Sequence, residues 1–242
     1  MSAIRIEGLT KRYRNVLAVD SLSLCIEEGE LFSLLGVNGA GKTTTVKMLS
    51  CLTAPTEGEA YLLGHSITKE AAAVKSLIAV SPQETAIAPG LSARENLALM
   101  CGVHGFSKDK REGKINEMID LLDLSTVIDR RAGKLSGGWQ RRLSIAMALI
   151  SEPKILFLDE PTLGLDVLAR SELWDVIRAL KGRVTIILTT HYMEEAEALS
   201  DHVAILKDGK LLICDTVEGI KQAVGEENFE RVFIRIVKGV SA

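Results

Sequence analysis

Residues 31–44 constrain this chain more than any other stretch: an apolar run, Leu31-Phe32-Ser33-Leu34-Leu35, passes directly into Gly36-Val37-Asn38-Gly39-Ala40-Gly41-Lys42-Thr43-Thr44. A continuous apolar run of this length reads as a strand covered on both faces. The segment TTTVKMLSCL that follows has helical spacing. Strand, glycine-rich turn and helix together form an anion cradle. Gly36, Gly39 and Gly41 let the backbone curl so that consecutive N–H groups converge, and the helix N-terminus adds positive potential. Lys42 follows as a compact charge able to reach β- and γ-phosphates, and the Thr43 hydroxyl is placed for Mg²⁺. The rival reading is a glycine-rich turn that only caps a helix, and the strand and helix on either side weigh against it.

The rest of the pattern predicts an α/β fold. Ile4 and Ile6, then Leu22, Leu24 and Ile26, alternate as in short antiparallel strands. Pro55 and the turn at Glu57-Gly58-Glu59 end the first helix, and YLLG and LIAVSPQ read as further strands. From about residue 88 to 150 the character is helical, with RENLALMCGV, KINEMIDLLDL and WQRRLSIAMALI. ILFLDE and VTIILTTH are two more buried strands, separated by the helix SELWDVIRAL and followed by the short helix MEEAEALS. VAILKDGKLLICD predicts a hairpin around Asp208-Gly209, and VEGIKQAVGEENFERVFIRIV a short helix and a terminal strand. Strands alternating with helices imply a largely parallel sheet, here with a helical block inserted.

Composition narrows the function. The 242 residues are 47% hydrophobic and 25% charged, with net charge -3, as in an ordinary globular protein. Mild acidity weighs against holding nucleic acid by bulk phosphate neutralisation. No run of about 18 apolar residues is present to cross a bilayer, and the charged start MSAIRIEGLTKRYRN argues against a secretion signal. Cys25, Cys51, Cys101 and Cys214 are scattered, without zinc-ligand spacing, and read as reduced thiols.

A second stretch, Lys134-Leu135-Ser136-Gly137-Gly138-Trp139-Gln140-Arg141-Arg142-Leu143, lies just before ILFLDE. With the phosphate loop it resembles the nucleotide-binding ATPase subunits of ABC transporters, over about residues 3 to 220. The resemblance implies a P-loop ATPase core of residues 1–87 and 151–216, an N-terminal antiparallel β subdomain, a helical subdomain of residues 88–150 and a short C-terminal extension of 217–242. It implies ATP and Mg²⁺ as cofactors. Asp159 would hold the Mg²⁺ shell with Thr43 and Gln83, and Glu160 would be the general base that polarises the attacking water. His191 would contact the γ-phosphate, Gln83 would join the core to the helical block, and Tyr13 would stack on adenine. Asp166, in PTLGLD, would face the opposite subunit. His65, His104 and His202 match no motif.

The resemblance also implies a head-to-tail pair of ATPase subunits, a homodimer or a pair of paralogues. Each ATP bound by one phosphate loop would be capped by Ser136, Gly137 and Gly138 of the other subunit. Separate transmembrane permease subunits would hold the pair at the cytoplasmic face of the cell membrane. The TTHYMEEAE stretch points to the exporters of drugs, lipids, polysaccharide or sodium. Two positions depart from the pattern: Trp139 stands where the signature has glutamine, and Val37 where proline is common. A soluble ABC ATPase acting on ribosomes or DNA is the rival from another class, and a regulatory module that binds ATP without turnover is a second. One phosphate loop, no heptad run and the net charge weigh against the first, and Glu160 against the second.

Overall fold

The three buried strands take the centre of a six-stranded sheet in a computed structural model that describes residues 2–239. Residue 1 and residues 240–242, the end of the expected C-terminal extension, lie outside the described residues. β1 (Ser2–Tyr13) and β2 (Val16–Glu27) form a long antiparallel ribbon, joined on the β1 side by β4 (Glu57–Leu62) and β5 (His65–Ser66). These first strands are longer than the broken alternation predicts, because register shifts absorb the interruptions at Gly8 and Ser21.

β3 (Leu31–Leu35), β7 (Ile155–Asp159) and β8 (Thr185–Thr190) are buried at every residue. β6 (Ile78–Ser81) and β9 (His202–Lys207) flank them, and β10 (Lys210–Asp215) closes one edge, in the order β10-β9-β3-β8-β7-β6. Only the β9–β10 pairing is antiparallel. That hairpin turns on Asp208 and Gly209, both at positive φ (49° and 80°), as a two-residue turn of matching twist requires.

α1 (Lys42–Leu49) starts from the phosphate loop and buries Val46, Met48 and Leu49 against the sheet. α2 (Ala71–Leu77) was not legible, since Val74 is its single buried residue and seven residues show no stripe. The inserted block contains α3 (Ala93–Val103), α4 (Lys108–Leu121) and α5 (Gly137–Leu149). Ser92 and Glu95 form a reciprocal capping box that sets where α3 begins. α5 packs Leu143, Ile145 and Ala146 into one continuous apolar cluster with Leu156 and Leu158 of β7, so the helical block and the sheet share a core. α6 (Val167–Leu180) and α7 (Met193–Leu199) complete the layers beside β7 and β8.

The terminal strand expected from VFIRIV is a helix. α8 (Val217–Val224) leads into α9 (Phe229–Lys238), started by the Asn228 side chain, which accepts from Arg231 N–H at 3.0 Å. Its β-branched residues imitate a strand locally, but Phe229, Val232, Phe233, Ile236 and Val237 follow helical spacing and pack on Leu35, Val203 and Ile205. Tertiary burial overrides the local preference. Phe229→Ala should therefore cost about 3–5 kcal/mol in urea denaturation, against under about 0.5 kcal/mol for exposed Ile234→Ala. Equal small losses at both positions would contradict the helical packing.

Candidate functional site

The C-terminal ends of β3, β7 and β8 point their last residues at one place. β3 runs into the phosphate loop, β7 ends in Asp159 and is followed by Glu160, and β8 leads to His191. A cleft of about 710 Å³ lies there, lined by Asn38 to Thr44, Gln83, Glu160 and His191, with Val16, Leu17 and Ala18 of β2 as its side wall.

The loop is held by close backbone approach. A Cβ on Gly36 would lie 2.5 Å from Leu206 O, and one on Gly41, whose φ is +102°, would lie 2.5 Å from Ala18 O. No side chain fits at either position. Gly36 N–H donates to Thr190 O at 3.3 Å, and Gly209 N–H donates to Ala40 O at 3.2 Å, so β8 and the β9–β10 turn both brace the loop. Gly41 is the N-cap of α1 and offers no side-chain acceptor, which leaves the first N–H groups of the helix available to a ligand.

The charged groups are packed tightly. Lys42, 5% exposed, donates from Nζ to Gly36 O at 2.7 Å and lies 3.4 Å from Glu160 Oε1. The other carboxylate oxygen of Glu160 is 2.9 Å from His191 Nδ1. Asp159 Oδ1 accepts from Thr43 Oγ1 at 3.2 Å and from Thr189 Oγ1 at 2.5 Å. Glu160 has a left-handed backbone, φ 48°, held by its N–H donating to Thr189 O at 3.1 Å and Thr189 Oγ1 at 3.0 Å. Such a conformation in a non-glycine residue is strained and needs that support. Thr189 thus holds the Asp159 carboxylate and the Glu160 backbone, a role that its place in a buried strand did not signal.

Gln83 enters the cleft from the segment after β6, where Arg141 holds the carbonyls of Pro82 and Gln83. Val37 is exposed at the loop tip. Tyr13 ends β1 opposite Val16, half-exposed beneath the Lys11 ammonium, and is not part of the cleft lining. Ser136, Gly137 and Gly138 are also away from the cleft. Ser136 is the N-cap of α5 without a side-chain capping bond. Asp166 is the N-cap of α6, accepting from Ala169 N–H at 2.9 Å. A Cβ on Gly138 would lie 3.1 Å from that of Ala169, so the start of α5 and the start of α6 form a second cluster on the chain. Trp139 lies under the Arg142 guanidinium at 4.7 Å, and Arg142 reaches Asp123 and Glu172, joining α5 to the end of α4 and to α6.

Comparison with known proteins gives this arrangement a class. The ABC transporter family model matches residues 19–163. The daunorubicin/doxorubicin resistance ATP-binding protein DrrA of Streptomyces peucetius is 39% identical over 224 residues, 92% of this chain and 68% of that protein. A solved ATP-binding subunit of an ABC transporter superposes with a TM-score of 0.84 at 24% identity, covering 97% of this chain and 99% of the other. A dimeric ATP-binding cassette in a post-hydrolysis state with ADP and phosphate superposes with a TM-score of 0.78 at 27% identity, covering 88% and 98%. The chain belongs to the ABC transporter family and is an ATP-binding, ATP-hydrolysing subunit that powers transport.

Glu195 on α7 is fully buried behind the site, with Trp174 Nε1 donating to its Oε1 at 3.1 Å. Burial pushes its carboxyl above the ordinary value of 4.5, against the hydroxyls of Thr190 and Thr162, the Trp174 indole and the Arg170 charge. Its stabilising contribution is complete below about pH 4.5 and is lost as pH rises through the folded-state value, because the native state then binds the extra proton. Glu195→Gln should gain stability relative to wild type as pH rises above about 4.5 in urea denaturation. Parallel stability curves for the two proteins would contradict a raised Glu195.

Proposed function

We propose that this chain is the nucleotide-binding subunit of an exporter, with all its catalytic residues gathered at the phosphate-loop cleft. The observation that carries the reading is the row Lys42, Glu160, His191, its first two members buried, beside the pair Thr43 and Asp159, all at the mouth of one glycine-rich loop. The loop N–H groups of Gly36 to Thr44 bind the phosphates of ATP. Lys42, now folded back on Gly36 O, turns to the β- and γ-phosphates when they arrive, which frees Glu160 to take the proton of the attacking water. His191, within hydrogen-bonding reach of Glu160, contacts the γ-phosphate and orients that carboxylate. Gln83 reports on the occupied γ-position, and Tyr13, at the rim, stacks on the adenine.

Mg²⁺ fits the donor set. Thr43 and Asp159 offer hard oxygens 3.2 Å apart, Gln83 a further one at the cleft wall, and a magnesium site needs only one or two carboxylates when phosphates supply the rest. Bound there, Mg²⁺ would neutralise charge on the phosphate oxygens.

None of Ser136, Gly137, Gly138 and Asp166 lines its own chain's cleft, which supports a composite site. In a head-to-tail pair, with a second copy or a paralogue, these residues cap the ATP held by the partner. Two or three charge-assisted hydrogen bonds at about 1.5–3 kcal/mol each, in each of two sites, exceed the about 5.5 kcal/mol that switches a pair from mostly open to mostly closed. Residues 1–87 and 151–216 form the nucleotide-binding core, 88–150 the helical subdomain and 217–242 the extension. Among the described residues no helix is long and apolar enough to cross a membrane. Separate transmembrane subunits hold the pair at the cytoplasmic face in this reading, and the drug-resistance relative favours export.

Glu160→Gln should slow ATP hydrolysis about 10²–10⁴-fold while nucleotide binding persists, as measured by phosphate release and equilibrium binding. Near wild-type turnover would remove Glu160 from its role. Ser136→Arg in that slow background should abolish ATP-dependent dimerisation on size exclusion, and a stable closed pair would sink the composite site.

A further inference from the structure

Arg141 is a buried cation that the site chemistry does not use and that pairs with no carboxylate among the described residues. It is 5% exposed, and its two terminal nitrogens donate to successive carbonyls of the segment after β6, Nη1 to Pro82 O and Nη2 to Gln83 O, each at 2.6 Å. Its neighbour Arg142 pairs with the carboxylates of Asp123 and Glu172. Arg141 is satisfied by neutral backbone oxygens, with Asp159 and Glu195 acting on it only through space, and burial depresses its basicity. A buried guanidinium held this way is costly, and an apolar side chain of similar volume would pack without the desolvation penalty. The planar fork nevertheless suits two adjacent carbonyls as no apolar group does.

A second tie lies one turn along the same face of α5. Ser144 Oγ is 3.1 Å from Ser81 Oγ, in the last residue of β6. Gln140 Nε2 donates to Ala132 O at 3.2 Å and Leu135 O at 3.1 Å, which fixes the start of α5 to the chain that leads into it. An uninterrupted covalent and hydrogen-bonded path therefore runs from Gln83 in the cleft, through its own carbonyl, into α5, whose first residues are Ser136, Gly137 and Gly138.

We infer that Arg141 is a positioning residue that couples the Gln83 segment to α5, so that occupancy of the cleft beside Gln83 moves the helix end that caps the partner's nucleotide. The inference rests on the proposed place of Gln83 in the site. With the fork removed, Gln83 still meets the nucleotide, but its displacement is no longer passed to α5. ATP binding by the single chain is then preserved and turnover, which needs the capped pair, is not.

The test compares wild type, Arg141→Met, Gln83→Ala and the double variant of the 242-residue chain, each for ATP Kd and kcat. Arg141→Met is expected to keep Kd within about twofold and to lower kcat about tenfold, with the double variant no slower than the slower single variant. Arg141→Lys keeps the charge but only a point-like donor, and is expected to recover part of the rate. Should Arg141→Met fail to fold, Arg141→Lys carries the test: an unchanged kcat in that variant overturns the coupling. Wild-type kcat in Arg141→Met, or additive losses in the double variant, overturns it as well. A slowed Gln83→Ala beside an unslowed Arg141→Met overturns this inference alone, whereas wild-type turnover in Gln83→Ala removes Gln83 from the site and the coupling with it.

Discussion

Lys42 and Glu160 carry opposite charges, each about nine-tenths buried or more, 3.4 Å apart, and much of the architecture makes that arrangement tolerable. Taking two ions out of water costs several kcal/mol each, and their mutual attraction offsets this only with good geometry and further hydrogen bonds. Those bonds come from all three central strands. β3 delivers Gly36 O to Lys42, β8 delivers Thr189 to the Glu160 N–H and leads to His191, and β7 places Glu160 itself. Strands buried at every residue are rigid platforms, so the charged ends they present cannot drift apart to be solvated. Under the proposed function, an incoming polyphosphate competes with Glu160 for Lys42 and so separates the resting ion pair.

The candidate functional residues fall into two separate clusters on one chain. The phosphate loop, Glu160 and His191 line the cleft, while Ser136 to Gly138 and Asp166 meet where α5 abuts α6. Trp139 strengthens that second contact: its ring lies under Arg142, which reaches across to Glu172 of α6. The residue that departs from the family signature thus has a packing role in this chain, stacking on the arginine that ties α5 to α6.

Legibility followed the range of the interactions. The strand-end positions of the phosphate loop, Asp159, Glu160 and His191 were readable because each ends or follows an apolar run, and that local pattern is also what folds it. The hairpin at Asp208-Gly209 was readable for the same reason. What escaped depends on contacts distant in sequence. VFIRIV looks like a strand until β3 and β9 offer it an apolar face, and Thr189 looks like filler until Asp159 lies beside it. Val16 to Ala18 line the cleft only because β2 folds over the loop, and Arg141 gains its partners from a segment some sixty residues upstream. Tyr13 pairs with the cleft residue Val16 but does not itself line the cleft.

The close packing around Gly36 and Gly41 has a thermodynamic consequence. With Leu206 O and Ala18 O at 2.5 Å from where a Cβ would stand, the loop has almost no alternative path, and β8 and the β9–β10 turn bind it from two sides. A ligand that enters such a preformed cradle does not have to order it. The backbone entropy that a flexible anion-binding loop would lose on association was already lost when the chain folded. Nucleotide exchange at this cleft is thereby separated from loop folding, and an ATPase that must release one nucleotide and take up another in every cycle starts each round from the same rigid receptacle.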